Sequence, residues 1–308
     1  MILAALVWAA TATAQENANR FAEIGARATA AREAGDNSGA VAPYKQALEL
    51  NPNWAAGWWM AGSRQYDAGQ FAGGRDAFRH LVQLSPKAGV AWALLGLCEY
   101  ETGGYTAALE QIQRALALGI GEKPQMTLVL KFHEAALLTR MGRFDEAVQK
   151  YSSFVPSKVT DEQVLVGLGL AQLRWQATPG EVKLDDKEFL LATGRAFGAL
   201  LTGDSAGAKA GYEELVERNP ASANAHYAYG YFLFASDADR ALQEWERALA
   251  LNESHAGSHA MMAWAMGLRN AQVPLPTRIR LPPHRRISRR QRQMGFQIGR
   301  VLFPLSAW

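Results

Sequence analysis

GQFAGGRDAFRHLVQLSPKAGVAWALLGLCEYET, residues 69–102, decides the fold. It holds two apolar-periodic segments, broken by Ser85-Pro86 and bounded by Gly69 at its start and Gly103 just after its end. The same pattern recurs on either side of it at one constant spacing. Gly35 aligns with Gly69 and Gly103, Ala40 with Gly74 and Ala108, Tyr44 with Phe78 and Ile112, and Ala47 with Leu81 and Ala115. Pro52 aligns with Pro86, Trp58 with Trp92, and Gly62 with Gly96. A fixed period of this length is the mark of a stacked supersecondary unit rather than a single globular core.

Each position has a physical reason. The glycines at 35, 69 and 103 can take the left-handed conformation that ends a helix. Pro52 and Pro86 stop the second helix of a pair. Trp58 and Trp92 sit on the first helix and can fill the gap to the second. Gly62 and Gly96, with Gly74 and Ala108, are small where helices cross closely. Tyr44, Phe78 and Ile112 are the large residues that insert between repeats. The spacing from Gly35 to Gly69 to Gly103 and the run WALLG at 92–96 resemble the tetratricopeptide repeat family. The resemblance implies an all-α fold, a right-handed superhelical α-solenoid of helix pairs whose inner groove is lined chiefly by first helices.

Beyond residue 118 the register slips. Gly142 falls later than the period counted from Gly103 would put it, with an insertion at 119–127. GRFDEAVQKYSSF at 142–154 reads as a turn and second helix. VTDEQVLVGLGLAQLRWQ reads as a first helix whose partner is replaced by a Pro/Gly-containing loop at 175–187. The array resumes through Gly203, Ala208, Tyr212 and Pro220, then Gly230, Ala241, Trp245 and Ala248 one residue early, and ends on a first helix at 254–268. About six helix pairs are expected over residues 15–270. The run from GRAFGALLTGD to NAHYAYGYFLF resembles exported bacterial tetratricopeptide proteins of unassigned function, and brings no catalytic residue with it.

Composition agrees with helices. Hydrophobic residues make up 49% of the chain and charged residues 20%, which excludes a disordered chain. The single cysteine, Cys98, excludes an intrachain disulfide. The net charge of +3 is a property of one end. Residues 271–308 carry eight arginines and no lysine or acid; without them 24 basic residues face 29 acidic ones, a net of −5. Nucleic-acid binding is therefore not expected. This tail reads either as a basic arm for an acidic surface or, the favoured reading, as a GC-rich gene read out of frame. Most of 271–292 is expected to be disordered. At the other end, the apolar run Ile2–Ala10 and Ala12-Thr13-Ala14 read as a signal peptide cleaved after Ala14, though no basic residue precedes the run. That points to a periplasmic or secreted protein, with a cytoplasmic one as the alternative. No segment reads as transmembrane.

The search for chemistry returns little. There is no P-loop, no G-x-G-x-x-G and no G-x-S-x-G. His133-Glu134 begins a zinc-protease motif, but Leu137 ends it. His255 and His259 share a helix face at metal-ligand spacing without a third ligand. Cys98 lies among apolar neighbours and reads as a buried thiol. Asp185, Asp186 and Glu188 complement a helix dipole. No catalytic residue, metal or cofactor is expected. The groove also lacks the Lys/Asn/Arg set for an acidic C-terminal peptide tail. What remains are aromatics one position after the motif tryptophan: Trp59, Tyr66 and Tyr100, then Tyr227, Tyr231 and Phe234. They are the expected peptide-binding residues, since Tyr and Trp give large rigid contact area with a polar tip; packing against adjacent repeats is the competing reading. The expected function is a protein- or peptide-binding scaffold of the cell envelope. The alternative is an accessory subunit that positions a partner enzyme or an assembly complex.

Overall fold

The two segments of residues 69–102 are helices, α4 (Phe71–Leu84) and α5 (Gly89–Glu101), in a computed structural model. It describes residues 2–34, 36–154 and 161–270, with the side chains of 2–14, 32, 37–38 and 268–270 left aside. The turn expected at Gly35 and the tail at 271–308 lie outside the described residues. Every regular element among the described residues is helical. Before α4 come α1 (Ile2–Glu33), α2 (Asn37–Leu50) and α3 (Ala55–Asp67); after α5 come α6 (Tyr105–Leu118), α7 (Pro124–Arg140) and α8 (Phe144–Tyr151). Then follow α9 (Glu162–Gln172), α10 (Leu184–Thr202), α11 (Ser205–Arg218), α12 (Ala223–Leu233), α13 (Ala238–Leu251) and α14 (Ala256–Asn270). The chain divides into two compact units at Leu130, within α7.

The first unit is a stack in which each helix from α1 to α6 packs on the next. Its register rests on one recurring fit. A Cβ built on Gly62 would lie 2.9 Å from Phe78, and one on Gly96 would lie 2.8 Å from Ile112. The large residue of the second helix thus occupies the space that glycine leaves on the first. Tyr44, Phe78 and Ile112 are all buried, as the alignment expects. Trp58 and Trp92 do reach the second helix of their own pair: Trp58 stacks on His80 at 4.3 Å, and the Arg114 guanidinium lies 4.1 Å over the Trp92 ring.

The second unit uses the same fit in α12 and α13, where a Cβ on Gly230 would lie 2.5 Å from fully buried Trp245. Its first part departs from the sequence reading. α9 does have a partner. Residues 175–187 are not all loop, because a 3-10 turn spans Pro179–Glu181 and α10 starts at Leu184. The two helices cross so closely that backbone meets backbone: Gly169 lies against the Leu190 carbonyl and Gly194 against the Leu165 carbonyl. Both glycines fall inside helical patterns, where they cost about 1 kcal/mol each against alanine, and the close crossing is their reason. α10 also packs on α11, so it serves as second helix to α9 and first helix to α11. Its acidic start, Asp185 and Asp186, lies in the first turn as expected.

Candidate functional site

The turns between helices position the site residues, and several are built alike. The Gly103 N–H donates to the Tyr100 carbonyl at 3.1 Å and the Gly104 N–H to the Glu99 carbonyl at 2.7 Å. The same pair of bonds recurs at Gly69, Gly142 and Gly203, and all four glycines have φ between 71° and 81°. This is the Schellman ending, which needs a left-handed residue and so favours glycine.

At the end of α9 the pattern is kept and the glycine is not. The Arg174 N–H donates to the Ala171 carbonyl at 3.3 Å and the Trp175 N–H to the Leu170 carbonyl at 2.9 Å. Arg174 has φ of 54°, and among the described residues it is the only non-glycine with positive φ. That conformation costs a side chain about 1 kcal/mol or more. The guanidinium lies 5.1 Å over the Phe144 ring, and its Nη1 is 3.5 Å from Asp145 Oδ1, both on α8.

Two residues expected to bind peptide lie within range of this pair's charges. Tyr227 and Tyr231 are one turn apart on α12, so they share a face. Burial pushes the Tyr227 hydroxyl up to about 12, with the Arg174 charge opposing the shift. Burial also raises Tyr231, with the charge of Asp145 adding and that of Arg174 opposing. Behind them Tyr212 is fully buried, its oxygen accepting from Gln172 Nε2 at 2.6 Å. The other amide atom, Gln172 Oε1, is buried with no hydrogen-bond partner. Whichever way the amide is turned, one of its polar atoms is left over.

The six expected aromatics fall into two groups. Tyr66, Tyr227 and Phe234 are buried. Tyr66 packs on Phe71 at 5.5 Å, Tyr227 on His255 at 5.1 Å, and Phe234 between Trp245 at 5.5 Å and Trp264 at 5.0 Å. Trp59, Tyr100 and Tyr231 are half-buried. Trp59 meets Phe78 edge-on at 6.1 Å, Tyr100 meets Tyr105 at 5.9 Å, and Tyr231 meets Phe197 at 6.1 Å. Tyr66–Phe71 and Tyr100–Tyr105 are the same contact one repeat apart. The structure therefore brings Tyr227 and Tyr231 to one charged cluster and leaves the others at separate helix junctions. Arg174, Asp145 and Gln172 were not singled out from sequence. The available signal was an arginine where the ends of α3, α5, α7 and α10 carry glycine.

The two histidines at metal-ligand spacing serve other ends. His255 contacts Ser258 Oγ and Asn224 Oδ1, each at 2.9 Å, while His259 Nε2 donates to the Glu253 carbonyl at 2.7 Å. Burial and the neighbouring His259 lower the His255 pKa. Among the described residues no three His, Cys, Asp or Glu side chains gather as a metal would require. Burial pushes the Cys98 thiol up to about 12, with Glu99 and Glu101 adding, so it is no nucleophile at neutral pH.

Stacked helix pairs with repeated turn, glycine and aromatic fits define a helical repeat protein, a class whose surfaces are built by repetition. The family signal is narrower: the tetratricopeptide repeat model matches residues 59–123. No curated protein matches the chain. Among solved structures it is similar to a tetratricopeptide repeat protein from Parabacteroides merdae, at 15% identity over 80% of this chain and 99% of that one, with a TM-score of 0.41. It is also similar to YrrB, described as a TPR protein with an unusual peptide-binding site (16% identity, 77% and 88% covered, TM-score 0.35). A third similarity is to the TPR2AB domain of yeast Sti1 in complex with pHSP90 (14% identity, 83% and 100% covered, TM-score 0.35). These are likenesses of fold alone.

Proposed function

We propose that the chain is a protein-binding scaffold that holds a peptide segment of its partner against first-helix side chains, and that it works in the cell envelope after cleavage behind Ala14. The carrying observation is the set of aromatics on first helices that keep part of their rings in water: Trp59, Tyr100 and Tyr231. Half-buried rings with a polar tip lose little side-chain entropy on binding and supply most of the contact energy in such sites. Peptide display selection on the immobilised full chain tests the reading. Enriched peptides should lose affinity at least about tenfold, or 1.4 kcal/mol, against Trp59→Ala or Tyr231→Ala variants of unchanged helicity. Selection with no enrichment, or equal binding to both variants, overturns it. The envelope location is checked by the N-terminus of the protein recovered from its native cell, expected at Gln15; a mature chain that retains residues 1–14 removes it.

A further inference from the structure

Arg174 is held where its backbone is unfavourable. The equivalent turns at Gly69, Gly103, Gly142 and Gly203 use the same hydrogen bonds without the strain. Strain that persists at one of several equivalent positions asks for a reason in the side chain. Its contacts within the protein are modest. Asp145 is 92% exposed and 3.5 Å away, beyond hydrogen-bond range, and an ion pair of that kind contributes little to stability. The Arg174 side chain remains 46% exposed. Tyr227, which is buried, and half-buried Tyr231 both lie within range of its charge.

We propose that Arg174 is the anchor for an acidic side chain of the bound segment, with the carboxylate taken by the guanidinium fork and the Tyr231 hydroxyl while Asp145 swings away. The inference rests on the peptide-binding reading and names the chemistry its ligand must carry. A planar fork fixed by its backbone and by the Phe144 face meets a carboxylate with two parallel bonds, which lysine cannot do. A cationic ligand side chain would have to approach Asp145 against the field of the same arginine. The site differs from a multi-lysine clamp for a chain terminus, because a single arginine at a helix end reads a side chain within a segment.

The test uses the full chain and two short capped peptides, identical but for a central Glu or Gln. Binding is followed by NMR at the Arg174 Nε–Hε resonance and the tyrosine rings. The Glu peptide should shift Arg174 and Tyr231, while the Gln peptide should bind at least about tenfold more weakly. Arg174→Lys should lose most of the preference. Arg174→Gly should abolish it and raise the Tm or leave it unchanged, since glycine relieves the turn. Three results overturn the anchor: equal shifts from both peptides, no shift at Arg174 with either, or a clear fall in Tm for Arg174→Gly, which would make the arginine a structural residue. Equal shifts on the tyrosines would leave the scaffold reading standing while the acidic anchor falls.

Discussion

α5 with α6 and α9 with α10 are both tightly packed helix pairs, and they place their glycines in opposite ways. In the first pair glycine ends the helix, at Gly103, and makes room for a side chain, at Gly96 against Ile112. In the second pair the helix end is Arg174, and the glycines at 169 and 194 face carbonyls of the opposing backbone. The first arrangement can be repeated, because a side chain in a glycine notch tolerates small shifts of register. The second cannot, because two backbones in contact fix one crossing. A repeat array departs from its period where a particular geometry is needed, and here the departure carries the charged cluster.

The sharpest way to break this comparison is to add one methyl group to each pair. Gly194→Ala drives a Cβ into the Leu165 carbonyl and should cost about 3 kcal/mol, whereas Gly96→Ala meets the Ile112 side chain first, with no backbone atom nearer than 3.1 Å, and should cost about 1–2 kcal/mol. Urea unfolding of both variants checks the order; equal costs would mean that α9 and α10 can slide. Next in size is Tyr212→Phe. It leaves both polar atoms of the Gln172 amide buried without a partner and should cost about 1–3 kcal/mol, read by the same transition.

Alkaline titration sharpens the regular side. The unfolded Cys98 thiol ionises near its ordinary 9.0 and the folded one near 12, so between those values the folded state holds a proton that the unfolded state has lost. Stability is then flat below pH 9 and falls as pH rises through that window, by at most about 1.4 kcal/mol per unit for this group. Cys98→Ala should remove that part of the slope. The smallest effect belongs to Trp92→Phe, which deletes a 2.9 Å bond from Nε1 to the Pro86 carbonyl and should cost about 1 kcal/mol in thermal unfolding.

The regular repeat was legible because each of its positions does one job that one residue type does best: glycine at a left-handed turn, a small residue at a crossing, a large one in the notch. Residues 162–202 were less so. Gly167 and Gly169 fall inside a segment that reads as a helix, and nothing local says that Leu190 and Leu165 carbonyls will lie against Gly169 and Gly194. Arg174 passes unnoticed in the sequence, because its meaning needs the φ angle and the charges of groups on two other helices. The six aromatics show the same limit. Helical spacing put Tyr227, Tyr231 and Phe234 on one face, yet which of them stays wet depends on what His255, Trp245 and Trp264 cover.

The bond from Trp92 to Pro86 has counterparts at every other first helix where that register is kept. Trp58 Nε1 donates to the Pro52 carbonyl at 2.7 Å, His226 Nε2 meets the Pro220 carbonyl at 3.0 Å, and His259 Nε2 meets the Glu253 carbonyl at 2.7 Å. In each case a ring nitrogen reaches back into the preceding connection. The residue that accepts this bond is thereby tied to the following helix, while the N–H groups of Asn51 and Ser85 just before it still bond to the helix they leave. When such an array opens from one end, its cooperative blocks should separate ahead of the proline and not behind it. Hydrogen exchange should then show the indole N–H groups of Trp58 and Trp92 exchanging with α3 and α5, and not with α2 and α4.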